Sequence, residues 1–178
     1  MTFLVLSGLF VYQLRRTRTV LKSCTDKING DTYLHALSRA ASPDGYIILA
    51  LVDVAFVDMA INLYETSLRP NDFNNFLFVG VGDRVCQLLN ASLSVNPVPC
   101  YHYADDAAAD RASVYMSSDF IRKMNIRTDM IIEALNARLT VVHVDLDVVF
   151  FRNWLPHIKV AHLHPSSKKV KERNAYSC

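Results

Sequence analysis

Tyr46-Ile47-Ile48-Leu49-Ala50-Leu51-Val52-Asp53-Val54 is an apolar run that meets a single charge, Asp53, near its end. It follows a turn signal, Ser42-Pro43-Asp44-Gly45. A strand with one wet face alternates apolar and polar residues, whereas a strand covered on both faces does not. The run therefore predicts a buried strand of a parallel sheet.

The pattern downstream keeps the same logic. Phe56, Val57, Ala60, Ile61, Tyr64 and Leu68 form a helical stripe, ended by Arg69-Pro70-Asn71-Asp72. Phe76–Val81 is a second strand. Asp83 is the expected N-cap of a helix running through Leu93. Asn96-Pro97-Val98-Pro99 ends that helix, and Val98–Tyr103 holds a short edge strand. Asp105–Ala112 is a small acidic loop. Ser117 or Ser118 caps a helix that runs to about Asn136, and Thr140–Val144 is a fourth strand ending at Asp145. Strands alternating with helices mean an α/β fold, a mostly parallel sheet with flanking helices and right-handed crossovers. Ligands in such sheets sit at the carboxyl ends of the strands. Asp53 lies at one such end, and Asp145 with Asp147 at another.

Composition narrows the function classes. The 178 residues suffice for one domain with a core. Apolar residues make up 51% and charged residues 20%, which is globular rather than disordered. A net charge of +2 gives no reason to expect nucleic acid as a partner. The basic cluster Lys168-Lys169-Val170-Lys171-Glu172-Arg173 reads as a solvated tail. No Gly-rich phosphate loop, Gly-x-Ser-x-Gly or His-Glu-x-x-His occurs, which argues against a P-loop enzyme, a serine hydrolase and a zincin. Cys24, Cys86, Cys100 and Cys178 contain no Cys-x-x-Cys pair. Cys86 and Cys100 fit either a disulfide in an oxidising compartment or two buried thiols.

Thr2–Leu14 carries no charge, and Arg15, Arg16 and Arg18 follow. As a helix it would rise about 20 Å, short of the roughly 30 Å hydrocarbon core of a bilayer. It reads as a signal-peptide core or partial signal anchor over residues 1–14, with a buried first helix as the alternative. The positive-inside rule sets Arg15–Arg18 on the wrong side for an anchor with a lumenal domain. Residues 15–44 are polar and mixed, a stem or linker with one helical piece at Thr32–Ala40. Asn90-Ala91-Ser92 is a glycosylation sequon, which leans towards the secretory pathway.

The chemistry concentrates in Val141-Val142-His143-Val144-Asp145-Leu146-Asp147. In an extended chain, residues i and i+2 point to the same side, so both carboxylates would face a cleft while Leu146 packs inwards. Two close carboxylates raise each other's pKa. A hard divalent cation, Mg²⁺ or Mn²⁺, relieves that repulsion and can share diphosphate oxygens. Such a site serves departure of a nucleoside diphosphate from a sugar. The competing readings are Asp145 as a turn cap, and Asp145 as the nucleophile of a phosphatase-like hydrolase. His143 reads as a core or layer-facing histidine. His162-Leu163-His164 and Asp105-Asp106 with Asp110 are weaker metal candidates.

The stretch Ser118-Asp119-Phe120-Ile121-Arg122-Lys123-Met124, then Arg127, then Val141 through Asn153, resembles the nucleotide-diphospho-sugar transferase family, a family-77-type glycosyltransferase. Leu51–Thr66 and Asn75–Val81 look like that family's first strand and helix and its second strand. The resemblance implies a GT-A, Rossmann-like fold over residues 45–156 and a UDP-sugar-like donor with Mn²⁺ or Mg²⁺. It also implies a glycan or glycoprotein acceptor. The setting it implies is the Golgi membrane or secretory lumen, with membrane association through the N-terminal segment. By position, Asp147 would be the principal metal ligand, with Asp145 beside it contacting metal or donor. Arg127 would approach the diphosphate. Asp53 and Val54 would receive the ribose and base. The family's Asn, Lys and Trp are Asp53, Thr128 and Phe150 here. No catalytic residue is assigned. The resemblance fades after Trp154-Leu155-Pro156, leaving 157–178 as a divergent tail and the sheet incomplete at the C-terminus. The expectation is a nucleotide-sugar glycosyltransferase, with a non-catalytic truncated relative as the alternative.

Overall fold

The computed structural model describes residues 2–6, 9–13, 32–93, 97–104 and 113–158. Four strands form the parallel heart of the sheet: β3 (Tyr46–Asp53), β4 (Phe76–Val81), β5 (Cys100–Tyr103) and β6 (Thr140–Val144). Two more, β1 (Thr2–Leu6) and β2 (Leu9–Gln13), form an antiparallel pair. The order across the sheet is β1-β2-β6-β3-β4-β5. β3 pairs parallel with β4 on one side (Ile48 opposite Phe76) and with β6 on the other (Ile48 opposite Val142).

The helices are α1 (Tyr33–Ala40), α2 (Val57–Leu63), α3 (Val85–Ser92) and α4 (Ser118–Asn136). They divide between the two faces because strand side chains alternate. Ile48, Ala50, Val52, Phe78, Val142 and Val144 face the layer of α2 and α3, meeting Ala60, Leu63, Val85 and Leu89. Ile47, Leu49, Leu77, Val79, Val81 and Val141 face α1 and α4, meeting Leu37, Ile126, Met130 and Ala134. Every residue of β4 is buried, as its unbroken apolar sequence requires. At Gly80 on β4, α3 comes close to the sheet. A Cβ there would lie 3.0 Å from Val85 and 3.1 Å from the Cys86 sulfur.

Helix ends follow local chemistry. Thr32 and Ser117 accept backbone N–H bonds at the starts of α1 and α4. α2 continues into a wide turn, Tyr64–Leu68, and stops before Pro70. The turn before β3 ends on Gly45 with φ +77°, a backbone region open to glycine.

Three expectations are corrected. Thr2–Leu6 and Leu9–Gln13 are strands here, not helix: β2 adds to β6, with Val11 opposite Val142. The run is rich in Phe, Val and Tyr, which favour strands. The helix within the expected 15–44 stem belongs to the core instead, since Tyr33, Ala36, Leu37 and Ala40 are all buried; residues 14–31 lie outside the described part. Asp83 does not cap α3, which has Arg84 at its cap position and no capping side chain; Asp83 pairs with His102 on β5 at 3.3 Å. Among the described residues, no helix is long and apolar enough to cross a membrane.

Candidate functional site

The connectivity points to one place. From β3 the chain moves through α2 to β4 and through α3 to β5, along one face. It then returns through α4, across the other face, to β6 on the far side of β3. The strand order reverses between β3 and β6, which makes their carboxyl ends a topological switch point, the usual place of the ligand crevice in open α/β sheets. Asp53 ends β3, and Asp145 follows β6 directly.

α4 supplies a cation to each aspartate. Lys123 and Arg127 are one helical turn apart, so they share a face. The Lys123 Nζ lies 3.0 Å from Asp53 Oδ2 and 3.4 Å from Asp119 Oδ2. Lys123 and Asp53 are 4% and 8% exposed, a buried ion pair. The other carboxylate oxygen of Asp53, Oδ1, accepts the backbone N–H of Ala55 at 3.0 Å. That bond starts the tight turn Val54–Phe56, on which half-buried Val54 sits. Asp53 is thus engaged on both oxygens within the protein.

Arg127 meets Asp145 differently. The guanidinium lies 3.9 Å from Asp145 Oδ1, with side chains 36% and 45% exposed. That is too long for a hydrogen bond, so the pairing is charge attraction in a partly wet setting. Burial pushes the Asp145 carboxyl up from its ordinary range; Arg127 opposes this and Asp147 adds to it. His143, two residues earlier on β6, is buried on the same α4-facing side. Burial, with Arg127 adding, lowers its pKa to about 4, so it is neutral at pH 7. Beneath Arg127 lies a narrow apolar gap lined by Leu49, Leu51, Met130, Ile131 and His143.

The Asp-Leu-Asp segment departs from its expected geometry. The strand ends at Val144, and Leu146 and Asp147 form a turn rather than a continued strand. Leu146 still packs against the core, and Asp147 is exposed. The chain beyond is clasped to the end of α2. Ser67 Oγ accepts the Phe150 N–H at 3.0 Å. The Asn71 amide donates to the Phe150 carbonyl at 2.9 Å, and the Asn153 amide donates to the Asn71 carbonyl at 3.0 Å. Phe73, Phe150 and Trp154 form a mutual ring cluster, with centroids 5.7 Å, 5.0 Å and 5.4 Å apart. The turn bearing Asp147 is therefore held at both ends, by β6 and by this clasp.

Among the described residues, no group of three or more His, Cys, Asp or Glu side chains is placed to hold a metal. Asp145 and Asp147 are a pair of hard oxygen donors. A pair fits Mg²⁺ or Mn²⁺, which bind through one or two carboxylates with phosphate oxygens and water completing the sphere. His162, His164, Asp105, Asp106 and Asp110 lie outside the described residues.

Cys86 and Cys100 form a disulfide between α3 and β5, with Cα atoms 5.7 Å apart. That decides between the two alternatives left open by the sequence. Asn90 is exposed on α3, and its side-chain oxygen accepts the Val98 N–H at 2.9 Å.

Lys123 is the residue that the sequence reading missed as part of the site. Its signal was a charge on the apolar stripe of a helix, three residues before Ile126 and seven before Met130. A lysine there is buried, and a buried ammonium needs a carboxylate.

The model of the nucleotide-diphospho-sugar transferase family matches residues 73–177. The match covers α4, β6 and the Asp145–Asp147 turn, starts after β3 and Asp53, and continues past Pro156, where the sequence reading ended the resemblance. No curated protein and no solved structure matches the chain. With more than half of the chain matched over an α/β sheet of parallel strands, the chain belongs to the nucleotide-diphospho-sugar transferase family.

Proposed function

We propose that the crevice at the carboxyl ends of β3 and β6 binds a UDP-sugar-like donor. The sugar then passes to a hydroxyl of a glycan or glycoprotein. The family supports the donor class. The observation that carries the reading is the place of Asp145 and Asp147. They follow β6 directly, at the topological crevice, on a turn fixed at both ends. Two carboxylates there suit Mn²⁺ or Mg²⁺, which would offset the negative charge growing on the departing diphosphate. Asp147, exposed, is the leading ligand, and half-buried Asp145 supports it. Asp53 orders the Val54–Phe56 turn, against which base and ribose would lie.

In the transfer, the bond between the sugar's anomeric carbon and the diphosphate oxygen breaks, and a bond to the acceptor oxygen forms. The acceptor proton leaves towards the diphosphate. The disulfide supports a lumenal setting, in the Golgi or elsewhere in the secretory pathway.

Titration of UDP into the protein by calorimetry tests the reading. UDP should bind with Mn²⁺ and bind far more weakly when Mn²⁺ is chelated, and Asp147→Asn should erase that difference. Equal UDP affinity with and without Mn²⁺ in the unaltered protein would sink the reading.

One observation favours the rival, a non-catalytic member of the family: the chain's own Arg127 already offsets Asp145. The same titration decides, because that rival binds no UDP in a metal-dependent way.

A further inference from the structure

The pairing of Arg127 with Asp145 differs from its neighbour one turn away in every respect that governs mobility. Lys123 and Asp53 are buried and touch at 3.0 Å. Arg127 and Asp145 stand 3.9 Å apart, with over a third of each side chain in water. No hydrogen bond fixes the guanidinium on that carboxylate at this distance. More than a third of the Arg127 side chain faces water, which leaves it free to change rotamer on that side. Asp145 meanwhile is partly buried, and one residue separates it in sequence from the Asp147 carboxylate, so losing its counter-cation is costly.

We infer that Arg127 is a displaceable counter-cation for Asp145, which makes divalent-metal binding and nucleotide-diphosphate binding depend on each other. The inference rests on the donor site proposed above. A divalent cation entering at Asp145 and Asp147 would face the positive guanidinium of Arg127 at short range, and like charges repel. Without an anion nearby, Asp145 is the ion-pair partner of Arg127 among the described residues, and Arg127 holds the carboxylate against the incoming ion. A diphosphate at the same mouth offers Arg127 two or more charged oxygens in the planar, forked geometry that guanidinium prefers. Arg127 would then leave Asp145 as the anion arrives. Because coupling free energy is reciprocal, each ligand must strengthen the other by the same factor.

The experiment measures Mn²⁺ binding to the whole chain by the loss of the free-ion paramagnetic resonance signal, with and without UDP. Unaltered protein, Arg127→Gln and Arg127→Lys are compared. Without UDP, Arg127→Gln should bind Mn²⁺ more tightly than the unaltered protein, whereas Arg127→Lys, which keeps the charge, should remain weak. The factor by which UDP strengthens Mn²⁺ binding should fall in Arg127→Gln by at least about fivefold, the lower end of ordinary coupling between sites. Equal Mn²⁺ affinity in the unaltered protein and Arg127→Gln, with the UDP effect unchanged, overturns the inference and leaves the donor site standing. No Mn²⁺ binding by the unaltered protein even with UDP removes the donor site itself, and the inference falls with it. Arg127→Lys, which retains both charge and stem, guards against a folding defect in the glutamine variant.

Discussion

Lys123 on α4 reaches over the carboxyl end of the sheet to Asp53 at the end of β3, ammonium to carboxylate at 3.0 Å, with both side chains buried. The two residues are 70 positions apart in sequence. Their contact fixes the start of α4 over the carboxyl end of the strand that borders the crevice.

Lys123→Met should destabilise the protein by about 3–5 kcal/mol, because it strands the Asp53 charge out of water. Asp119 also meets Lys123, but it is more exposed and can be hydrated instead. Adding Asp53→Asn removes the stranded charge while keeping the bond to the Ala55 N–H, so the double variant should regain much of the loss. Urea unfolding of the two single variants and the double variant gives the coupling directly. A double variant no more stable than Lys123→Met would show that the charge of Asp53 is not what Lys123 compensates.

The Cys86–Cys100 disulfide closes a segment with a sequence separation of 14. Replacing both cysteines by serine should cost about 3 kcal/mol, the loop-closure value for such a length. The loss should fall on β5, the edge strand, which hydrogen exchange would show as faster amide exchange at Cys100–Tyr103 than elsewhere in the sheet.

Gly80 lies under α3 in the middle of the sheet. In Gly80→Ala the new methyl would meet Val85 at 3.0 Å and the Cys86 sulfur at 3.1 Å, tighter than ordinary contact. Neither neighbour is the free end of a long side chain, so α3 must shift. The expected loss is about 1–3 kcal/mol by thermal or chemical unfolding. An unchanged midpoint would mean that α3 yields at no cost.

Tyr33 ties α1 to α4 by donating its hydroxyl hydrogen to the Met130 carbonyl at 3.1 Å. Tyr33→Phe should cost about 1 kcal/mol at neutral pH. Burial raises the Tyr33 pKa strongly, with Glu133 and Tyr101 adding to the effect. A phenol held neutral in the folded state stabilises it fully below the unfolded pKa. That stabilisation is lost as pH rises beyond about 10, where the unfolded phenol ionises. The alkaline limb of the stability profile should therefore be flatter in Tyr33→Phe, as denaturant midpoints measured from pH 8 to 11 would reveal.

Much of the fold was legible because short-range physics writes it. The apolar runs 46–52 and 76–81 lie in strands covered on both faces, and β4 is buried at every position. The helix from Ser117 to Asn136 was bounded by its cap at one end and the loss of periodicity at the other. Failures came where a local signal had a tertiary competitor. Asp83 looked like a cap, yet Asp83 found His102 instead. Thr2–Leu6 and Leu9–Gln13 had the hydrophobicity of a helix and the β-branched and aromatic content of strands, and the edge of β6 offered pairing to the second of them. Asp145 and Asp147 were singled out by their spacing after a strand, and the extended geometry assumed for them gave way to a turn at Leu146.

By itself, the sequence determined the alternation of strands and helices, the parallel sense of the central sheet, and the carboxylates that end β3 and follow β6. Periodicity, capping and turn chemistry act over a few residues, and a single chain displays them in order. Only the tertiary structure decided which side chains meet: Lys123 with Asp53, Arg127 with Asp145, and Cys86 with Cys100. Those partners are set by where α3, α4 and β6 pack across the sheet. Desolvation then makes one ion pair a fixed strut and leaves the other loose enough to move, a difference of burial and distance that no run of letters contains.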